Sequence, residues 1–287
     1  IFSHAPPAPK SEYWPKEIHL ALKRNKRSIP ILDIEPTEKE VWAKMHPAIG
    51  KINWLYMREK FDAKKHQEDF EALDDFDAGF KGLFALIEQH KDFVRQHTEI
   101  LIKALEWQHK QKSPTLLLQG EQRQLAETWL TKEFKGSLPP CSASPLHTAF
   151  ICESKKKADA GITDLFISYH EPQKAEVEEI RQALMRHAVT NWVDYVDIKT
   201  GVQYREAVEE GIEKSDNFLF IITPESVISE ECLDELVYAL KLNKRIITLM
   251  MLATPKSDIP KEIRNLQFID FTDNNKEVKK SSQNEKS

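Results

Sequence analysis

Between residues 164 and 271 short apolar runs alternate with longer amphipathic ones. Asp164–Tyr169 (DLFISY), Asn191–Asp194 (NWVD), Asn217–Thr223 (NFLFIIT), Arg245–Met251 and Gln267–Phe271 read as strands. Between them, Lys174–His187 carries Val177, Ile180 and Leu184 at helical spacing, and Tyr204–Lys214 carries Ala207, Val208 and Ile212. Glu231–Leu242 is the third helix. Strands that are apolar on both faces and separated by helices make a parallel sheet covered on both sides. This α/β domain is expected to run over 160–275.

Part of that pattern occurs twice. Ser11–Leu32 aligns with Ser229–Met250 without gaps at an offset of 218, with ten identities in 22 positions. The match resumes at an offset of 214, Ile52–Leu55 against Leu266–Ile269. Each copy opens with Ser and an acid, as helix starts do, and Pro15 suits a first turn. Asn-Lys-Arg ends each helix, with positive charge near the C-terminal dipole, and a β-branched strand follows. The chain is therefore expected to hold, over 1–60, the C-terminal part of a first domain related to the one at 160–275. The elements preceding it are expected upstream of Ile1. A helical connecting region is expected over 61–136, with Phe80, Leu83, Phe84 and Ile87 on one apolar face, continued by Val94, Leu101 and Leu105, and with Trp107 and Trp129 buried. Residues 137–159 (SLPPCSASP at their start) read as a linker in which Lys155–Lys157 are solvated. A polar tail at 276–287 is expected to be disordered.

Composition narrows the function. Net charge is −5, and no overall electrostatic case exists for nucleic acid or an anionic membrane. No apolar run approaches the ~20 residues of a membrane span. Three cysteines without CxxC spacing argue against a disulfide framework or a zinc site, and a reducing, cytoplasmic setting is the simplest reading. The 8 glycines fit neither GxGxxG nor GxxxxGK[ST], and neither HExxH nor GxSxG occurs.

DLFISY (164–169), NWVDYVDIKTG (191–201), YREAVEEGIEKSDNFLFIITPES (204–226) and SEECLDELVYALKLNKRII (229–247) together resemble, in order and spacing, a TIR domain of the bacterial type. SEYWPKEIHLALKRNKRSIPIL resembles the C-terminal half of another. The resemblance implies a flavodoxin-like five-stranded parallel sheet, whose ligand crevice lies beyond the carboxyl ends of the strands.

The resemblance also implies a site. Many bacterial TIR domains cleave the nicotinamide–ribose bond of NAD+, and the family's catalytic glutamate falls on Glu235. One carboxylate suffices for this chemistry, because nicotinamide leaves from a cation without a general acid, and the oxocarbenium-like ribose needs a negative charge beside it. Ser168 and Tyr169 would line the nicotinamide side. Trp192, Ser229 and Cys232 are further substrate-binding candidates, and Asp197, Lys199 and Gly201 belong to a loop that contacts nucleotide and neighbouring TIR domains. NAD+ enters as substrate, with no cofactor or metal. His170–Gln173 departs from the family's usual turn after the first strand. Glu17, the counterpart of Glu235 in the first copy, is expected to be non-catalytic. Two readings follow: an NAD+ glycohydrolase or cyclase that is active on self-association, and a non-catalytic adaptor acting through TIR–TIR contacts. A two-component receiver is excluded, because strand three ends in Thr223-Pro224 where a phosphoacceptor Asp would be needed.

Overall fold

The computed structural model describes residues 2–4, 14–32, 55–56, 74–135, 139–198 and 203–272. They fall into two compact units, 1–103 with 132–144 and 104–131 with 145–287.

In the first unit, strands β1 (Phe2–His4), β2 (Pro30–Leu32) and β3 (Leu55–Tyr56) form a parallel sheet in that order. Helix α1 (Trp14–Lys23) precedes β2. Helices α2 (Asp74–Glu88) and α3 (Lys91–His109) follow, and the latter supplies residues to both units. The apolar face expected across this region is interrupted at Gln89 and His90, where His90 takes a positive φ of 58°. Phe80, Phe84 and Ile87 stay exposed, while Leu101 is buried. Helical spacing identified a face, of which Phe80, Phe84 and Ile87 are left open among the described residues.

The second unit holds the complete sheet. Its strands are β4 (Thr163–Ser168), β5 (Asn191–Trp192), β6 (Ser215–Ile222), β7 (Arg245–Met250) and β8 (Phe268–Asp270). The order is β5-β4-β6-β7-β8 and every pairing is parallel. Helices α6 (Lys174–Arg186), α8 (Tyr204–Glu213) and α9 (Glu230–Lys241) are the crossovers. The alternating pleat of β4 divides the core in two. Phe166 joins Phe218, Phe220, Ile212 and Leu236 on the α8/α9 face, while Leu165 and Ile167 join Val177, Leu219 and Leu249 on the other. The second strand is shorter than expected: after Trp192 the chain turns into a single helical turn, α7 (Asp194–Asp197).

The stretch 137–159, expected as a linker, contains helix α5 (Pro145–Ala158), with Phe150 and Ile151 wholly buried. Phe150 meets the Trp107 ring at 5.5 Å, and Trp129 stands 5.4 Å from the ring of His147. Helix α4 (Gly120–Leu130) packs alongside. The Pro/Ser composition marked only the approach to α5, because its apolar residues are too sparse to give a clear amphipathic signal. Its lysines are engaged: Lys155 bonds Asp164 at 2.8 Å, Lys156 bonds Asp197 at 2.8 Å, and Lys157 donates to the Pro114 carbonyl at 2.7 Å.

The sequence repeat has a structural counterpart. Phe2↔Pro30 and Ile31↔Leu55 in the first sheet stand where Phe220↔Thr248 and Leu249↔Ile269 stand in the second. The correspondence holds at the same offsets of 218 and 214 found by alignment. Both α1 and α9 end on an asparagine in the left-handed region, Asn25 at φ 48° and Asn243 at φ 54°. Each is closed by the same bond pair, Lys26 N–H to Ala21 O with Asn25 N–H to Leu22 O, and Lys244 N–H to Ala239 O with Asn243 N–H to Leu240 O. These are Schellman closures. The tail 276–287, Lys199 and Gly201 lie outside the described residues.

Gly211, inside α8, is the close-approach glycine of the second unit. A Cβ there would come within 2.5 Å of the Trp192 ring, which stacks on Phe166 at 4.7 Å and 12°. Gly→Ala in a helix ordinarily stabilises by ~1 kcal/mol. Gly211→Ala is expected to destabilise by about 1–3 kcal/mol instead, with a changed Trp192 fluorescence spectrum. A stabilised protein by urea titration would contradict this packing.

Candidate active site

The strand order reverses about β4, because the chain leaves β4 for β5 on one side and returns to β6 on the other. In open parallel sheets a crevice forms at such a point, outside the carboxyl ends of the strands. A cleft of ≈ 280 Å³ lies here, lined by Phe166, Tyr169, Trp192, Asp194, Tyr204, Glu231, Cys232 and Glu235 among others. A groove of ≈ 370 Å³ between α8 and α9 shares Tyr204, Glu231 and Glu235 with it.

Glu235 reaches this cleft because of its register on α9. Cys232, Leu236 and Ala239 are the buried stripe of the helix, and Glu235 sits at the border of that stripe, half-buried. Its partner comes from β4. Ser168 continues the row of Phe166 toward α9, is 1% exposed, and donates its hydroxyl to Glu235 Oε2 at 2.6 Å. Loss of hydration pushes the Glu235 carboxyl up to about 7; the Ser168 hydrogen bond opposes this, and the nearby Asp194 and Glu231 carboxylates add to it. Glu17 on α1, by contrast, is exposed.

Tyr169 directly follows the same strand, and its hydroxyl donates to Asp194 Oδ1 at 2.9 Å. Burial first, and then this bond to Asp194, drive its phenol to a strongly raised pKa. The Tyr169 ring meets Tyr195 edge-on at 6.0 Å. Trp192 offers an aromatic wall. Cys232 is 2% exposed, and burial pushes its thiol up to about 11, outweighing the bond from Ser229. The helix N-terminus therefore does not make a thiolate here.

Three predicted residues make bonds within the protein. Ser168 serves Glu235. Ser229 caps α9, its hydroxyl accepting the Cys232 N–H at 3.4 Å. Asp197 forms an ion pair with Lys156, and its second oxygen accepts the Val193 N–H at 2.9 Å. The 170–173 turn, which departs from the family pattern, forms a short 3-10 turn entering α6, with Glu171 on the cleft wall.

The sequence pointed to none of Asp194, Tyr204 and Glu231 as site residues. The available signal was position: Asp194 directly follows an apolar strand, and Tyr204 opens the next helix. The result is a cleft lined by four carboxyl groups, Glu171, Asp194, Glu231 and Glu235, and four aromatic rings, suited to a cationic, planar group. Among the described residues, no cluster of three or more His, Cys, Asp or Glu side chains is arranged to hold a metal ion, and no helix is long and apolar enough to cross a membrane.

The raised pKa of Glu235 carries a stability consequence. The folded state holds this proton more tightly than the unfolded chain, so stability falls as pH rises from about 4.5 to about 7. Glu235→Gln removes that penalty. The variant should gain on the wild type by on the order of 2–3 kcal/mol between pH 5 and pH 8. Asp164 and Glu178, whose pKa values are lowered, titrate alike in both proteins and cancel. Urea midpoints at the two pH values measure the difference, and a constant offset would mean that the carboxyl is fully hydrated.

Comparison with known proteins agrees with this fold. No curated protein matches the chain. Among solved structures, the chain is similar to the TIR domain of the Toll-related receptor TRR-2 from Hydra magnipapillata, at 19% identity over 39% of this chain and 87% of that one, TM-score 0.36. It is similar to a metazoan TIR-STING receptor from C. gigas at 22% identity, over 38% of this chain and 35% of that one, TM-score 0.34. The TIR domains of the activated Roq1 resistosome follow at 19% identity, over 34% and 64%, TM-score 0.32. This chain therefore spans little more than a third of the TIR-STING receptor. Residues 165–283 match the family model described as TIR domain, and this segment of the chain is a TIR domain.

Proposed function

We propose that the 165–283 segment hydrolyses or cyclises NAD+ by breaking the nicotinamide–ribose bond, with Glu235 as the catalytic residue. The observation that carries this reading is the position of Glu235. It is a half-buried carboxyl held by Ser168, at the carboxyl end of the sheet, in a cleft with Trp192 and Tyr204. The planar nicotinamide ring fits between aromatic walls. Its positive charge suits a site bearing Asp194 and Glu231 as well. As the C–N bond breaks, nicotinamide takes the electron pair and leaves neutral, and positive charge passes to the ribose. Glu235 faces that charge in a site of low hydration, where its effect is strong. Water then adds to the ribose and releases a proton, giving ADP-ribose; capture by the adenine gives a cyclic product instead. A bound cation also lowers the pKa of Glu235 and favours its ionised form.

The repeat supports a second element of the proposal. The matched strand register and helix closures of the first unit support reading residues 1–60 as part of another TIR-like domain. Duplicated domains suit a protein that works by TIR–TIR association, and self-association is part of the proposed mechanism.

Nicotinamide release from NAD+ by the full chain tests the activity. Glu235→Ala should lower turnover by ~10²-fold or more, and wild-type kcat/KM should rise with pH and level off above about 7. No release by the wild type would leave the adaptor reading standing, and an active Glu235→Ala variant would remove Glu235 from the catalytic role. Specific activity should fall on dilution if neighbouring copies complete the site, and constant activity across a hundredfold dilution would remove self-association from the mechanism.

A further inference from the structure

Helix α7 has four residues and no side-chain N-cap. One isolated turn does not persist unaided, because fixing its dihedrals costs more than its few hydrogen bonds return. Yet α7 carries Asp194 into the cleft. What holds it is a set of bonds to three different elements. Asp194 accepts the Tyr169 hydroxyl at the end of β4, and the Tyr195 hydroxyl donates to Glu178 on α6 at 2.7 Å. Asp197 binds Lys156 on α5 with one oxygen and closes the turn onto the Val193 N–H with the other.

Of these three anchors, only α5 lies outside the matched segment, which begins at residue 165. It is nevertheless well fixed. Phe150 and Ile151 are fully buried, and Ser154 accepts the Leu118 N–H at 3.0 Å while donating to the Phe150 carbonyl at 2.7 Å. Lys155 bonds Asp164 and the Ala188 carbonyl at 2.8 and 3.2 Å. The Lys156–Asp197 pair is itself sheltered, with side chains 13% and 17% exposed, and Glu153 stands 3.5 Å from the same ammonium. A sheltered pair of this kind is much less screened than a surface one.

We propose that Lys156 is a positioning residue for the substrate cleft: from a helix outside the TIR segment, its ion pair with Asp197 holds α7, and through α7 places Asp194 and Tyr169 against the substrate. It touches no reacting atom. The Ser168–Glu235 contact does not pass through it. Its loss therefore weakens substrate binding more than it slows the bond-breaking step. The helices at 104–131 and 145–158 are by this account part of the working unit, and any event that shifts α5 is felt at the cleft.

The kinetic part rests on the NAD+ reading above; the structural part does not. The test uses the full chain with Lys156→Met, which keeps the stem and removes the charge, Lys156→Arg as the conservative variant, and Lys155→Met as the control. Lys156→Met should speed amide exchange across residues 193–197 by about tenfold or more. It should raise KM for NAD+ by about tenfold, with kcat within about twofold of wild type. Lys156→Arg should restore both. Lys155→Met should lower the melting temperature but leave exchange at 193–197 and KM unchanged. Wild-type exchange at 193–197 in Lys156→Met would overturn the proposal, as would equal effects from Lys155→Met and Lys156→Met. If the wild type releases no nicotinamide, the NAD+ reading fails, and the exchange data still decide whether Lys156 holds α7.

Discussion

A strand with apolar residues on both faces must be covered on both faces, and β4 and β6 impose that condition on everything around them. Phe166, Phe218 and Phe220 face one layer, and Leu165, Ile167 and Leu219 face the other. Parallel pairing then forces each connection to cross over, which supplies the covering helices. Because the connections leave β4 in opposite directions, the helices on the two sides cannot meet above its carboxyl end. The cleft follows from that gap. The side chains ending β4, Ser168 and Tyr169, are therefore the last inward-facing residues before open space, and both are polar.

Polar groups at such a border must find partners, and the partners they find define the site's electrostatics. Ser168 turns to Glu235, and Tyr169 turns to Asp194. A carboxyl that is half-buried with one hydroxyl donor and two acidic neighbours is poorly compensated, which is why Glu235 holds its proton to about 7. Elsewhere in the unit, comparable acids are fully served. Glu178 receives Arg181, Gln182 and Tyr195, and its pKa falls to about 2 despite its burial. The contrast between these two glutamates marks the cleft more sharply than its shape does. It is the pattern expected of a group kept reactive rather than satisfied.

The first unit is a useful comparison. It has the helix and strand that carry Glu235 in the second, with the same closure and the same strand register. Its counterpart, Glu17, is exposed. A glutamate at the same position on the same helix thus acquires its properties from what stands opposite it. Read from helix position alone, Glu235 would be an exposed acid one turn into the helix whose loss costs little stability; Ser168 and its surroundings make it half-buried and destabilising when ionised.

The sequence by itself determined the elements whose signal is local and periodic. The five strands, their crossover helices, the helix ends at Asn-Lys-Arg, and the duplicated register were all legible, because apolar spacing and turn chemistry act between neighbours in the chain. Glu235 was singled out only through the resemblance of SEECLDEL to a TIR motif, and it lines the cleft. What only the tertiary structure decided are the allegiances of side chains to distant elements. Asp197 pairs with Lys156, and Ser168 with Glu235. Helix α5 packs against α4 and α6 although its stretch reads as linker, and Phe80 and Phe84 remain exposed although their spacing reads as core. The physical reason is the same in each case: burial and ion pairing are settled between groups tens of residues apart, where no local period records the partner.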